Sequence, residues 1–496
     1  MEAFDRRDFV ERSAKLALAA GAFGAFPDLS FAAGPTKRQL RGLQREIEGE
    51  VVPRGVRTYN RDRLVANTRF DHVHPDAIVY CETASDVEKT VRWARRSGVH
   101  IVPRCGGHSY GGYSTTSGVV VDVTRIDFVH PHKGGKARIG AGGLLIDVYS
   151  KLWNKRRVTI PAGSGPSVGI AGLALGGGIG FASRRLGTTA DAVKEVTIVT
   201  ARGQRLVCNA HEHEDLYWAS RGGGGGNFGI VTSFVFETHA ADRVSTFYMS
   251  WPWNDAAQVI DVWQGFAPQA TNRLFAMCNL SAESGGTPKV SVSGQFFGSE
   301  AALQQLLQPL VNTGSPSTVS IRSRDYMQAT KYWASCSGAS VAECRVPYRT
   351  AFKAKSDYCL RPLSEEGRMA LVQWVEQRSR FAAPGAIKVH LDPYGGAIND
   401  VPKAATAFVH RDALFSIQYF AVWPSRSRPN LQFINRFYEA MRPYVSGFAY
   451  VNYIDPALRN WSQAYFGSNY RRLTAVKRKY DPHNVFHFRQ SIRRRP

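Results

Sequence analysis

The chain has 496 residues, 44% of them hydrophobic, which is enough apolar side chain for two ordinary cores and predicts a two-domain globular protein. Its formal net charge of +23 is spread along the chain, clustered only at Arg493-Arg494-Arg495 and in pairs such as Arg95-Arg96 and Arg471-Arg472. That pattern gives a solvated basic surface and excludes a nucleic-acid module. Seven cysteines form an odd count with no C-x-x-C pair. A Cys336–Cys344 disulfide suits an oxidising compartment, although spacing does not establish it.

At the N-terminus, Arg6-Arg7-Asp8-Phe9-Val10 precedes an apolar run from Leu16 to Phe26, followed by small residues Ser30, Ala32 and Ala33. This reads as a twin-arginine signal over residues 1–33, which implies the twin-arginine export machinery as a partner. The run falls short of the roughly 20 apolar residues that span a bilayer, and no other segment qualifies as a transmembrane helix. Ser85-Asp86-Val87-Glu88 reads as a capping box opening a helix that Gly98 ends, before a strand at Val99 to Val102. Next comes Pro103-Arg104-Cys105-Gly106-Gly107-His108-Ser109-Tyr110-Gly111-Gly112, leading to the strand-like run from Val119 to Val123. His108 thus sits on a glycine loop held between strands, where backbone can approach a ligand closely and N–H groups can bind a pyrophosphate. On this loop alone, a turn histidine that merely hydrogen-bonds backbone is an equal alternative.

Leu144, Leu145, Val148, Tyr149 and Leu152 mark a second amphipathic helix. A second glycine region follows: Gly163, Gly165, Val168, Gly169, Gly172, Gly178 and Gly180 stand in the run from Pro161, with Ala190-Asp191 downstream. His211-Glu212-His213-Glu214-Asp215 looks like a metal cluster, yet adjacent ligands on a turn rarely converge, so no metal is assigned. Five glycines from Gly222 to Gly226 lead directly into the apolar run through Gly229, Ile230 and Val231, which a mere linker would not do. Beyond about residue 240 the pattern changes to long alternating runs, Lys289 to Phe296 after a Ser284-Gly285-Gly286 turn and Leu414 to Trp423, which predict an antiparallel sheet flanked by helices. Ser416 and Gln418 share one face of the latter strand and could line a substrate cavity; Phe415, Ile417, Tyr419 and Trp423 share the other.

The R-x-G-G-H-S loop, the second glycine run and the block from Arg221 to Phe234 resemble the FAD-binding domain of vanillyl-alcohol-oxidase-type flavoproteins. The C-terminal Tyr450-Val451-Asn452-Tyr453 and the segment ending Gln490-Ser491-Ile492 resemble the berberine-bridge-enzyme-like branch, so the likeness spans about residue 64 to the C-terminus. The resemblance implies an α+β fold: an FAD-binding domain over 64–240, an antiparallel-sheet substrate domain over 241–444, and a segment over 445–492 that returns to the first domain. It implies FAD bonded covalently to His108, with Arg104, Cys105, Gly106, Gly107, Ser109, Asp191 and Asn452 joining the glycine-run residues and Gly229, Ile230 and Val231 around it. Doubly tethered members carry cysteine where this chain has Gly165, so the attachment should be single.

Tyr453 matches the family's catalytic tyrosine, with Gln418 and Tyr450 as further candidates. A phenol is mostly protonated at pH 7, so Tyr453 needs a nearby cation or donor to act as base. If the segment is extended, Tyr450 and Tyr453 face opposite ways. An aromatic core residue is the plain alternative for Tyr453. The chain departs from the family at Ile179, often tyrosine, and at Ser416, often lysine, which puts plant-type alcohol substrates in doubt. Val168 resembles the valine of oxygen-reactive members. The implied function is an exported, periplasmic, cell-envelope or extracellular oxidase of a small organic substrate, carbohydrate being one class, with O₂ as acceptor. A secondary-metabolite tailoring enzyme and a flavin-carrying protein with a decayed site remain the alternatives. Export of folded protein suits a cofactor loaded in the cytoplasm.

Overall fold

In the computed structural model of the chain, residues 34–425 and 427–495 are described, so the twin-arginine segment lies outside them. The first sheet orders its strands Glu50–Pro53, Ala77–Tyr80, Val119–Asp122 and Ile101–Arg104, the last three mutually parallel. Val119–Asp122 is buried on both faces, as a parallel strand between neighbours requires, and its valines supply the bulk. The helix Ala84–Ser97 shares a hydrophobic core with it through Val87, Val91 and Ala94, and is begun by Thr83 rather than by Ser85. The Thr83 hydroxyl accepts from Asp86 N–H, while the Asp86 carboxylate accepts from four backbone N–H groups at Glu48, Gly49, Glu82 and Thr83. A short hydroxyl two residues earlier, with that carboxylate at the third helical position, outcompetes Ser85. Gly98, at φ +62°, closes the helix as expected.

A second, five-stranded antiparallel sheet places Gly229–Glu237 at its centre, between Lys136–Gly140 and Val193–Thr200. The third sheet is seven-stranded and antiparallel: Thr318–Asp325, Arg243–Trp251, Lys289–Phe296, Leu274–Glu283, Ala386–Pro393, Phe415–Trp423, Ala351–Cys359. Its alternation decides which face is dry. Ile387, Val389, Leu391, Phe415, Ile417 and Tyr419 pack into one core with the helices Ala256–Phe266, Glu365–Ser379 and Ser427–Met441, while Lys388, His390, Asp392, Ser416 and Gln418 take the other face.

A separate large core joins the first two sheets to the C-terminal segment through Leu473, Val476, Phe486 and Ile492. Buried ion pairs pin that segment. Lys477 Nζ donates to Asp481 at 2.7 Å and to Asn227 O at 2.7 Å, holding the last helix against the glycine turn. Lys355 and Lys353 reach Asp455 at 2.7 and 3.2 Å, fastening the stretch just after Tyr453 to the strand Ala351–Cys359. Arg184, almost fully buried, joins the two cores by donating to the carbonyls of Ala267, Pro268, Ala270 and Leu274. Cys336 and Cys344 are disulfide-bonded. Among the described residues no helix is long and apolar enough to cross a membrane.

Candidate functional site

The parallel strand Ile101–Arg104 ends at the histidine loop, and the buried Arg104–Asp122 ion pair between neighbouring strands fixes where the loop begins. The loop meets the second glycine run so closely that a Cβ at Gly106 would lie 2.5 Å from Ser167 O and 2.6 Å from Gly169 N; one at Gly169 would lie 2.1 Å from Cys105 Sγ. Only hydrogen fits at either position. Between these loops, the 224–226 turn, Val451–Ile454 and Phe488 lies a cavity of about 250 Å³. Arg104, Cys105, Gly106, Gly107, His108, Ser109, Val168, Gly169, Gly172, Gly229, Ile230, Val231, Asn452 and Tyr453 all line it.

His108 Nε2 lies 2.9 Å from Ser167 Oγ, and burial pulls the imidazole pKa down to about 4, so the ring is neutral at pH 7. Gly224 and Gly226 adopt φ of +85° and +71°, which brings bare backbone to the wall. A largely apolar slot edged by glycine backbone, with the neutral His108 imidazole in its wall, fits a flat aromatic cofactor carrying a pyrophosphate.

Other residues expected at the cofactor do not line this cavity. Gly163 O accepts from Tyr149 OH at 3.1 Å. A Cβ on Gly165 would lie 2.8 Å from Val168 Cγ2. Gly178 N–H donates to Tyr450 OH at 2.7 Å. Asp191 is gripped by both terminal nitrogens of Arg411, at 2.7 and 2.8 Å. In the acidic-histidine turn, Asp215 instead takes Lys479 Nζ and Tyr480 OH, each at 2.8 Å.

A second cavity, about 170 Å³, shares Tyr453 with the first and is lined by Ile179, Gly180, Phe181, Phe275, Met277, His390, Asp392 and Gln418. Gln418 faces it as the strand alternation predicts, and its Nε2 donates to Tyr110 OH at 3.1 Å. Ser416 is the cross-strand partner of Asp392. Tyr450 and Tyr453 do not face opposite ways. Val451–Tyr453 forms a 3₁₀ turn, with Tyr453 N–H donating to Tyr450 O at 3.0 Å. Residues three apart eclipse in such a turn, and the two rings meet at 5.0 Å. Tyr450 OH is engaged structurally, accepting from Gly178 N–H and from Asn452 Nδ2. Tyr453 stacks on Tyr110 at 5.4 Å and 10°.

Burial, reinforced by Asp392 and Tyr110, holds the Tyr453 phenol well above its ordinary pKa. The cation that would make it a base at neutral pH is not among its charged neighbours; the neighbour is a carboxyl. Burial pushes Asp392 up to about 7, into the range a proton acceptor needs at neutral pH. Sequence reading missed Asp392 and His390, although Lys388-Val389-His390-Leu391-Asp392 alternates with period two.

Family models described as "FAD binding domain" and "Berberine and berberine like" match residues 75–209 and 449–493. The chain is 34% identical over 455 residues to the uncharacterized FAD-linked oxidoreductase YgaK of Bacillus subtilis, covering 90% of this chain and 97% of that one. It is 29% identical over 482 residues to the chitooligosaccharide oxidase of Gibberella zeae, covering 92% and 95%. Among solved structures, BBE-like 1 of Physcomitrella patens superimposes with a TM-score of 0.85 at 33% identity, covering 91% of this chain and 98% of that one. Matching models at both ends and identity above three in ten across nearly the whole described length lead to one conclusion: the chain belongs to the berberine-bridge-enzyme-like family of FAD-linked oxidoreductases.

Proposed function

We propose that the protein is an exported FAD-dependent oxidase of a hydroxyl-bearing small molecule, carbohydrate being the favoured class, with O₂ as electron acceptor. The observation that carries this reading is the Tyr453 junction: Tyr453 lines both the histidine-loop cavity and a second cavity, whose Asp392 carboxyl burial pushes up to about 7. His108 is the residue that would hold the flavin covalently. Its Nε2 is engaged by Ser167, which leaves Nδ1 for attachment. Gly165 offers no second tether. When bound, FAD supplies the two-electron acceptor and hands those electrons to O₂, giving peroxide.

The chain's own part is proton management and positioning. Oxidation of a hydroxyl-bearing carbon releases one hydride equivalent from carbon and one proton from oxygen. Asp392, half ionised near pH 7, receives that proton, and the Tyr453 hydroxyl, held by the Tyr110 stack, orients the substrate oxygen. Phe181, Phe275, Met277 and Ile179 exclude water from the reacting carbon. Similarity to a chitooligosaccharide oxidase supports the carbohydrate class. The test is peroxide release by the purified yellow protein over a panel of sugars, benzylic alcohols and alkaloid-type amines. Sugars should lead; activity confined to the amines would favour a tailoring enzyme of secondary metabolism, and no activity at all a decayed site.

A further inference from the structure

A row of polar side chains runs across four strands of the large sheet, and its two middle members, His390 and Gln418, line the second cavity. Asn279, His390, Gln418 and Ser356 are successive cross-strand partners on four adjacent strands, a spacing that brings side chains on one face into contact. Asn279 Nδ2 donates to Ser293 Oγ at 3.2 Å and to Met277 O at 3.3 Å, which turns Asn279 Oδ1 toward His390 Nδ1 at 2.7 Å. An amide oxygen accepts only, so Nδ1 carries the proton and Nε2 is an acceptor. Burial pulls the imidazole pKa down to about 4, which keeps this tautomer neutral at working pH. Gln418, its Nε2 given to Tyr110, keeps Oε1 as a second acceptor, and Asp392 is a third. The same cavity is lined by Phe181, itself stacked on Trp333 at 4.1 Å and 20°.

A cavity lined by both a group of acceptors and an aromatic ring is satisfied by a ring that has several hydroxyl donors and a C–H face. We infer that His390, its tautomer fixed by Asn279, accepts a hydrogen bond from a ring hydroxyl other than the one oxidised, and thereby selects polyhydroxylated rings over simple alcohols. The inference rests on reading this cavity as the oxidation site. A ligand lacking that hydroxyl leaves a buried acceptor unpaired, and the desolvation cost of that unpaired group discriminates against it.

The test uses the holoenzyme with its flavin reduced by dithionite under nitrogen, so that sugars bind without turnover. Titration calorimetry at pH 8 compares D-glucose and cellobiose with 2-deoxy- and 3-deoxyglucose. One deoxy analogue should bind the parent at least about tenfold more weakly than glucose. In His390→Leu, glucose should fall to that same affinity and the discrimination vanish. Asn279→Leu should weaken it, and Asn279→Asp, which keeps an acceptor on Nδ1, should restore it. His390→Met serves if the leucine variant does not retain covalent flavin. Undiminished discrimination in the His390 variants, or none in the parent, overturns the inference while leaving sugar oxidation standing. If neither glucose nor cellobiose bleaches the oxidised flavin of the parent, the reading of the cavity falls and the inference with it.

Discussion

Replacing Asp392 with asparagine keeps the side-chain volume and removes the one group in the substrate cavity placed to ionise near neutral pH. With a pKa of about 7, Asp392 is roughly 1% ionised at pH 5 and half ionised at pH 7. The rate of anaerobic flavin reduction at saturating sugar should therefore climb about fiftyfold between those pH values and only about twofold more above pH 7. Asp392→Asn should lose the slope together with about 10²–10⁴-fold of the rate. Stability runs the other way. The folded pKa stands above the unfolded value, so the stabilising contribution is complete below about pH 4 and is lost as pH rises through about 7. The asparagine variant should melt no lower than the parent at pH 8, which separates lost chemistry from lost fold. Stopped-flow bleaching of the flavin and thermal melts at the two pH extremes make the measurement. An asparagine variant within about threefold of the parent at pH 7, or with the parent's pH slope, would refute the assignment.

The remaining expectations concern the other side chains. The flavin should stay with the acid-precipitated protein and be released in His108→Ala; flavin that washes out of the unmutated protein on denaturation removes the covalent assignment. Tyr453→Phe should retain its flavin yet reduce it about a hundredfold more slowly at pH 7, the cost of a misplaced substrate oxygen, whereas Tyr450→Phe, whose hydroxyl ties Gly178 to Asn452, should show its main effect on stability. The reverse pattern would move the chemistry to Tyr450. Val168→Leu should slow reoxidation by O₂ with little change in flavin reduction, and equal reoxidation rates would remove Val168 from the oxygen path.

Much of the fold was legible because local signals agreed with one another. The valine-rich runs around His108 read as strands flanking a loop, and the alternation from Leu414 to Trp423 placed Gln418 on the cavity side. The N-terminus of the helix at Ala84 was displaced by two residues because Thr83 and Ser85 are both competent caps, and the choice rests on where the Asp86 carboxylate finds four N–H groups. The Tyr450–Tyr453 geometry was not legible, since a single 3₁₀ turn leaves no periodicity. Asp392 and His390 carry an ordinary strand alternation; what sets them apart is the depth of burial and the neighbours Asn279, Gln418 and Tyr453, which arrive from three distant parts of the chain. Gly163, Gly165, Gly178 and Asp191 show the converse, motif residues that do not line the cavity and whose contacts are with Tyr149, Val168, Tyr450 and Arg411.

The most direct test of the account is single-turnover flavin reduction in the absence of O₂, with a sugar substrate carrying deuterium at the carbon to be oxidised. The account predicts that the flavin bleaches, that deuterium slows the bleaching severalfold, and that the rate rises with pH to a plateau set by Asp392 near pH 7. Bleaching without an isotope effect or pH dependence, or no bleaching by any sugar, would contradict it.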